Sequence, residues 1–140
     1  MSRVVRPASA FTTLRPRTKL QRDRAALSER VLQRAREDVV VRDDRHCGRC
    51  GDWGVEVHHR QNRGSGGSNA RPEVTHARSR LVLLCRECHR WIGANPRDAE
   101  RDGLLVRRGV IDCERVPLLY RGRWVLLTDD CQITDIERTS

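Results

Sequence analysis

The stretches Cys47-Gly48-Arg49-Cys50 and Cys85-Arg86-Glu87-Cys88 decide the fold of this chain. In each stretch the two-residue gap lets both thiolates turn toward one ion, and two such pairs supply the four soft ligands that tetrahedral zinc prefers. Disulfides and chance spacing are the alternatives. In a reducing compartment, however, spaced cysteines are more often metal ligands than disulfide partners. We therefore predict a structural zinc ion held by Cys47, Cys50, Cys85 and Cys88.

The composition explains why a metal would be needed. Of the 140 residues, 37% are apolar and 4% are aromatic, which leaves a thin core for one modest domain. Chains with so little apolar material often add a metal or disulfides to become stable. Zinc closed by four cysteines keeps no open coordination position, so its expected role is to join the two cysteine segments and not to catalyse. His46 is an alternative ligand, but its adjacency to Cys47 makes it sterically awkward.

The charge indicates a polyanionic partner. Lysine and arginine total 28 against 19 aspartate and glutamate residues, which gives a net charge of +9. Such an excess suits nucleic acid, although a bias toward arginine also arises from a GC-rich genome. We find no signal peptide and no stretch near the ~20 apolar residues that a membrane span needs. The expectation is a cytoplasmic protein that binds DNA and no membrane.

Three regions are expected along the chain. Residues 1–22 carry scattered basic residues and two prolines, which predicts a flexible basic arm. Residues 23–103 are expected to form the main domain, opening with a basic helix capped by Asp23 that runs to about Asp38. The four-residue spacing on this helix predicts the buried face Leu27, Val31, Ala35 and Val39. Arm and helix together are candidates for lying on DNA phosphates, with a solvated tail and a surface helix as the alternative.

The second half of the chain combines a helix with strands. A helix is predicted from Cys88 to about Asp102, with Pro96 starting a further turn or a new helix. Residues 104–140 form the third region, a β extension with strands at 104–106, 116–120 and 124–127. Arg121-Gly122 reads as the turn of a C-terminal hairpin. Cys113 and Cys131 belong to no ligand motif and are expected to be free thiols.

Histidines form a second cluster between and beside the cysteine pairs. His58 and His59 end the short alternating strand that begins at Val55, and His89 directly follows Cys88. Zinc at the cysteines would make this strand a neighbour of the helix that starts at residue 88. Histidines meeting beside an arginine-rich loop can hold a second metal against a phosphate. The alternative is a pair of surface histidines on a zinc module.

At this point the sequence resembles a known family. The runs that carry the resemblance are Val57-His58-His59-Arg60, Arg63-Gly64-x-Gly66-Gly67-Ser68 and Leu81-x-x-Leu84-Cys85-x-x-Cys88-His89. They are similar to HNH endonucleases of the zinc-knuckle kind encoded by bacteriophages of actinobacteria. The likeness extends more weakly into the tail and covers roughly residues 24–130. The resemblance implies an α+β fold: a small zinc-stabilised ββα-metal (His-Me finger) domain, here with a basic N-terminal helix and a C-terminal β-hairpin.

The resemblance also implies an activity and its residues. It implies metal-dependent hydrolysis of DNA phosphodiester bonds with low sequence specificity, in the host cytoplasm if the chain is phage-encoded. His59 falls on the general base, and His58 and His89 fall on ligands of one catalytic Mg²⁺, Mn²⁺ or Ni²⁺ ion. In phages, the genes of such relatives commonly lie beside the genes of the DNA-packaging terminase. The resemblance therefore implies a terminase partner and a role in packaging. From their placement beside His59, we expect Arg60, Arg63 and Arg71 to contact phosphate.

One position departs from the family pattern. The asparagine that usually precedes Leu81 and orients the base is replaced by Arg80. Ser79, His76 or a backbone carbonyl is the candidate for the missing acceptor, and Arg80 itself is assigned to the site as a candidate phosphate contact. The alternative functions are a catalytically inactive, zinc-dependent nucleic-acid-binding module and, more weakly, a protein–protein adaptor.

Overall fold

The structure, a computed structural model, describes residues 15–62, 71–110 and 112–137. It is a mixed α+β fold with two small antiparallel sheets. The elements are α1 (Lys19–Arg42), β1 (Glu56–His59), α2 (Pro72–Thr75), β2 (Leu81–Leu84), α3 (Arg86–Ala94), α4 (Pro96–Arg101), β3 (Leu118–Tyr120), β4 (Arg123–Leu127) and β5 (Ile133–Asp135). Two 3₁₀ helices, Arg78–Arg80 and Cys113–Arg115, precede β2 and β3. Among the described helices, none has the length and apolarity required to cross a membrane.

Helix α1 is longer than predicted at both ends. Its N-cap is Thr18, whose side chain accepts from the backbone N–H of Gln21 while the Gln21 side chain accepts from the Thr18 N–H. This reciprocal capping box satisfies two otherwise unpaired donors, so the helix begins there and the prediction of Asp23 as the cap is wrong. Residues 19–22 of the expected arm are therefore helical, and residues 1–14 lie outside the described residues.

The buried face of α1 is also rotated from the predicted one. Its buried residues are Ser28, Leu32, Ala35 and Val39, whereas Leu27 is 47% exposed. Residues four apart advance about 400° around a helix, so a strict four-residue row drifts off any one face. The alternating steps of four, three and four residues keep one face buried. The prediction was correct for Ala35 and Val39 and wrong for Leu27.

Strands β1 and β2 form the sheet that carries the histidines. They pair antiparallel, with His58 opposite Val82 and His59 opposite Leu81. Every residue of β2 is buried. Leu81 and Leu83 pack with Ala35 and Val39 of α1, while Val82 and Leu84 join the second core cluster on the other face. Strand β2 thus lies between two apolar layers, and α3 follows it directly.

The cores of the two halves of the chain are continuous. Leu118, Tyr120, Val125 and Leu127 of the C-terminal sheet pack in the same cluster as Val82, Leu84 and Cys88. The division predicted at residue 104 therefore does not coincide with a break in the apolar core. The Tyr120 hydroxyl also donates to Asp43, whose carboxylate accepts from the Leu83 N–H, so the end of α1 is tied to both sheets.

The C-terminal strands follow the prediction in part. The Arg121-Gly122 turn is confirmed, with φ of 48° and 83° at the two residues. Residues 104–106 form no strand, because Leu104 turns back onto α4 and only Val106 makes an isolated bridge, to Gln61. Strand β5 was not predicted, so a three-stranded sheet replaces the expected hairpin. Pro96 starts a new helix at its first turn, where the missing N–H costs nothing.

Candidate metal centre and active site

The four predicted zinc ligands lie together. The Sγ atoms of Cys47, Cys50, Cys85 and Cys88 all lie within 4.8 Å of one another, and those of Cys50 and Cys85 are 3.7 Å apart. A zinc ion about 2.3 Å from each of four tetrahedral sulfurs places those sulfurs about 3.8 Å apart. The cluster therefore fits a tetrahedral metal ion such as zinc.

Backbone amides surround the sulfurs as they would surround thiolates. The N–H groups of Arg49 and Cys50 donate to Cys47 Sγ, and that of Cys88 donates to Cys85 Sγ, at 3.4–3.5 Å. Burial raises the pKa of the Cys47 thiol, but these and neighbouring N–H donors outweigh it and lower the pKa to about 7. Burial raises the pKa of Cys88. A dication suits this cluster because it displaces the remaining protons and neutralises the thiolates.

The other cysteines and His46 stay outside this cluster. His46 Nδ1 approaches the carbonyl of Asp44, and His46 is not one of the clustered ligands. Cys113 is buried and Cys131 is half-buried, and both are free thiols, as predicted. The residues that could hold a metal ion such as zinc are thus the four cysteines that the spacing indicated.

His58 is held in one tautomer inside the fold. Its side chain is buried, and Nε2 lies 2.8 Å from the carbonyl oxygen of Leu104. Because a carbonyl only accepts, Nε2 carries the proton and Nδ1 keeps its lone pair. Burial lowers the pKa of His58, which favours the neutral imidazole that binds metals. His58 is therefore prepared to offer Nδ1 to a cation.

His89 is prepared in the same way by a carboxylate. Its Nδ1 donates to Glu56, and both side chains are partly exposed. The acceptor fixes the proton on Nδ1 and leaves the lone pair on Nε2, as outer partners of metal-bound histidines commonly do. Sequence reasoning missed Glu56. The available signal was the strand alternation, which places Glu56 on the same face of β1 as His58.

His58 and His89 form a pair that can share one ion. Their ring centroids are 5.2 Å apart with an interplanar angle of 62°. Two lone pairs on neighbouring rings suit a divalent ion whose other positions are taken by water and phosphate. Within the described part of the chain, only the cysteine cluster gathers three or more close ligand atoms. The structure brings the predicted ligand pair together, and the remaining ligands would come from solvent and substrate.

His59 lies on the opposite face of β1 and contacts a histidine. Its Nε2 is 3.0 Å from Nδ1 of His76, and Nε2 of His76 is 3.1 Å from the Ser28 hydroxyl. Among the candidate acceptors for the His59 ring, His76 lies within hydrogen-bond distance of it. Ser79 instead donates its hydroxyl to Asp129. Ser28 was not predicted, because it is 48 residues from His76 in sequence.

Of the arginines predicted to contact phosphate, Arg60 lies inside the protein. The Arg60 side chain is buried, and its guanidinium donates to the carbonyls of Gly103, Ser79 and Val116 at 2.8–2.9 Å. The prediction that Arg60 contacts phosphate is therefore wrong, since all three of its nitrogens bind the protein interior.

The remaining arginines lie near the surface or outside the described residues. Arg71 is exposed and lies 4.0 Å from Glu73, so its guanidinium is accessible. Arg80 is half-buried and donates to the side-chain oxygen of Gln61. Arg63 falls outside the described residues. Arg71 is thus the predicted phosphate contact whose side chain the structure leaves accessible.

No protein-family model matches this chain, and no curated protein or solved structure matches it either. Function is therefore inferred from the geometry of the side chains.

Proposed function

We propose that this protein is a metal-dependent DNA endonuclease of the HNH type. The observation that supports it best is the arrangement at the end of β1. A histidine pair suited to one cation lies on one face, and a third histidine in contact with His76 lies on the other. The two strands followed directly by α3 give the order that a ββα-metal site requires.

Each histidine has a role that its contacts support. His58 and His89 would hold Mg²⁺, Mn²⁺ or Ni²⁺ through Nδ1 and Nε2, respectively. When bound, the ion polarises the scissile phosphate and stabilises charge on the leaving 3′ oxygen. His59 accepts a proton from the attacking water, for which an imidazole near neutral pH is well suited. Because His58 and His59 lie on opposite faces of β1, the phosphate would lie across the end of the strand.

The charge near this site supports a polyanionic substrate. Ser28 ties α1 to the histidines, and Arg24 lies one turn before it on the same helix, exposed. Arg22, Arg30 and Arg34 add exposed cations along α1. DNA phosphates crossing the end of β1 would therefore meet positive charge contributed by α1 and by Arg71.

The test is cleavage of supercoiled plasmid by the full-length, zinc-loaded protein. Mg²⁺, Mn²⁺ and Ni²⁺ are added separately, and an EDTA reaction is checked for zinc content and circular dichroism to separate loss of activity from loss of fold. We expect metal-dependent cleavage that His59→Ala abolishes. His46→Ala is the matched control, because the contacts of His46 are with the Asp44 carbonyl and the Trp53 ring.

A second candidate function is a zinc-dependent nucleic-acid-binding module without catalysis. The replacement of the family's asparagine by Arg80 favours it. Salt-sensitive DNA binding by a folded, zinc-loaded protein that cleaves with none of the three metals would support this function and contradict the nuclease. Arg80→Asn would then test whether the substitution is the cause.

A further inference from the structure

We propose that His76 is the positioning residue of the His59 base, and that Ser28 of α1 in turn fixes His76. This inference rests on the proposed nuclease function and extends it. It assigns the orienting role to a side chain at the end of α2, and the anchor of that side chain to helix α1. His59, His76 and Ser28 are called the Ser–His–His chain below.

The contacts of the Ser–His–His chain are short, and His76 at its centre is shielded from water. His76 is 1% exposed and Ser28 is 5% exposed. The two links measure 3.0 Å and 3.1 Å and use both ring nitrogens of His76. A buried imidazole is costly unless its nitrogens are bonded, and an apolar side chain would fill the same space at lower cost. The polar residue at this position is therefore best explained by what it does to His59.

The direction of the hydrogen bonds follows from the role of the base. Nε2 of His59 faces His76, so Nδ1 is the nitrogen that would accept the proton from water in the proposed role. Nε2 must then carry the ring proton and donate to Nδ1 of His76. His76 consequently carries its own proton on Nε2 and donates to the Ser28 hydroxyl. A cationic His76 would turn a second N–H against His59, so the chain requires a neutral His76.

Local structure explains how His76 reaches this position. It ends the short helix α2, where its backbone N–H donates to the Pro72 carbonyl at 2.9 Å. Proline at the first helical position fixes the turn in advance. Helix α1 packs against α2 and presents Ser28 on its buried face. Two elements of regular structure thus hold the ring that orients the base.

The test compares three variants of the full-length, zinc-loaded protein. His76→Leu fills the space without an acceptor, whereas His76→Gln keeps a side-chain oxygen that can accept the His59 proton. Ser28→Ala removes only the anchor. For His76→Leu we expect kcat to fall by about 10- to 100-fold with KM for plasmid little changed, by analogy with outer partners of other site histidines. His76→Gln should recover most of that loss, and Ser28→Ala should lose less than His76→Leu.

A spectroscopic measurement accompanies the kinetics. Long-range ¹H–¹⁵N correlation spectra report which ring nitrogen of His59 is protonated. We expect the Nε2–H form in the wild type and in His76→Gln, and a mixture of tautomers in His76→Leu. A merely structural role would alter melting temperature without changing the tautomer. If His76→Leu fails to fold, Ser28→Ala provides the same two measurements.

The outcomes separate this inference from the proposed function. Unchanged kcat and an unchanged tautomer in a folded His76→Leu variant would overturn the positioning role while leaving the nuclease intact. A wild type that cleaves with none of the metals would overturn the nuclease. The tautomer spectra then decide by themselves whether His76 sets the state of the His59 ring, and a mixed wild-type population would refute that as well.

Discussion

At the scale of single residues, the candidate histidine site depends on the groups that form hydrogen bonds with its rings. Glu56 accepts from Nδ1 of His89, the Leu104 carbonyl accepts from His58, and His76 bonds to His59. The carbonyl and the carboxylate can only accept, so they determine which nitrogen of His58 and of His89 carries a proton, and His76 does the same for His59 in the hydrogen-bond direction proposed for it. The candidate site residues are therefore defined by their hydrogen-bond partners as much as by their own identity.

Glu56→Gln should weaken the divalent-metal site and leave the fold intact. The carboxylate accepts from Nδ1 of His89 and so orients the ring, and outer partners of this kind affect metal affinity by about 10- to 100-fold. We expect the metal concentration for half-maximal cleavage to rise by about that factor. Glu87→Gln is the control, since Glu87 is exposed in the first turn of α3. Equal metal concentrations for half-maximal cleavage in both variants would contradict the role of Glu56.

Arg60→Met should destabilise the protein without directly weakening DNA binding. Removing the guanidinium leaves the Gly103, Ser79 and Val116 carbonyls without their donor. Unsatisfied buried acceptors cost about 1–3 kcal/mol each, so we expect a loss of about 3 kcal/mol or more in the free energy of unfolding. Urea denaturation of zinc-loaded protein measures it.

Arg71→Met serves as the comparison with Arg60→Met, because it should weaken DNA binding and leave the stability of the protein unchanged. Its side chain is exposed, so the free energy of unfolding should stay within about 0.5 kcal/mol of the wild type. DNA affinity should fall, with a smaller dependence on salt, because a phosphate contact is lost. A stable Arg60→Met protein that binds DNA poorly would restore the original expectation for Arg60.

At the scale of elements, one glycine connects α4 to the C-terminal sheet and to the site. Gly103 has φ of 79°, and a Cβ there would lie 1.9 Å from the Pro117 carbonyl oxygen. Its own carbonyl accepts from Arg60, and the next residue's carbonyl accepts from His58. Backbone conformation at this point therefore positions both a structural arginine and a candidate ligand.

Gly103→Ala should lower the melting temperature of the protein far more than Gly122→Ala does. The two glycines share a positive φ, but a Cβ at Gly122 meets nothing within 4 Å. The backbone penalty alone is about 1 kcal/mol, and forcing a contact in a packed interior adds about 1–3 kcal/mol. Both penalties apply to Gly103→Ala and only the backbone penalty applies to Gly122→Ala, so we expect the lower melting temperature for Gly103→Ala. Similar melting temperatures for the two variants would show that the α4–β3 approach can relax.

At the scale of the whole molecule, the cysteine cluster fastens two distant segments. Cys47 and Cys50 follow α1, whereas Cys85 and Cys88 join β2 to α3. Structural zinc contributes an apparent ~10–16 kcal/mol in small zinc domains, which is as large as the ~5–15 kcal/mol stability of typical domains. The core of this protein should therefore not survive loss of the metal.

Removal of zinc should unfold the protein. We expect one zinc ion per chain by atomic absorption, and loss of helical circular dichroism on treatment with a strong chelator. Cys85→Ser should lose zinc and fold together, while Cys131→Ser, outside the cluster, should keep both. A Cys85→Ser protein that keeps its fold without zinc would show that the apolar core alone is sufficient.

The sequence alone determined the features that short spacing encodes. Two Cys-x-x-Cys pairs predicted the four-cysteine cluster, Arg121-Gly122 predicted a turn, and Pro96 predicted a further helical turn or a new helix, because each depends on neighbours a few residues away. The neighbouring positions of His58 and His89 also followed, since a cluster of the four cysteines places β1 beside α3.

Only the tertiary structure decided which partners complete the site. His76 reaches His59 across 17 residues and Ser28 across 48, and neither distance leaves a local pattern. Arg60 looked like a surface arginine because charge predicts exposure, yet three carbonyls from separate segments satisfy it inside. Long-range hydrogen bonds depend on how the whole chain packs. For this reason the sequence predicted the features that depend on neighbouring residues, whereas the partners of His59 and Arg60 required the tertiary structure.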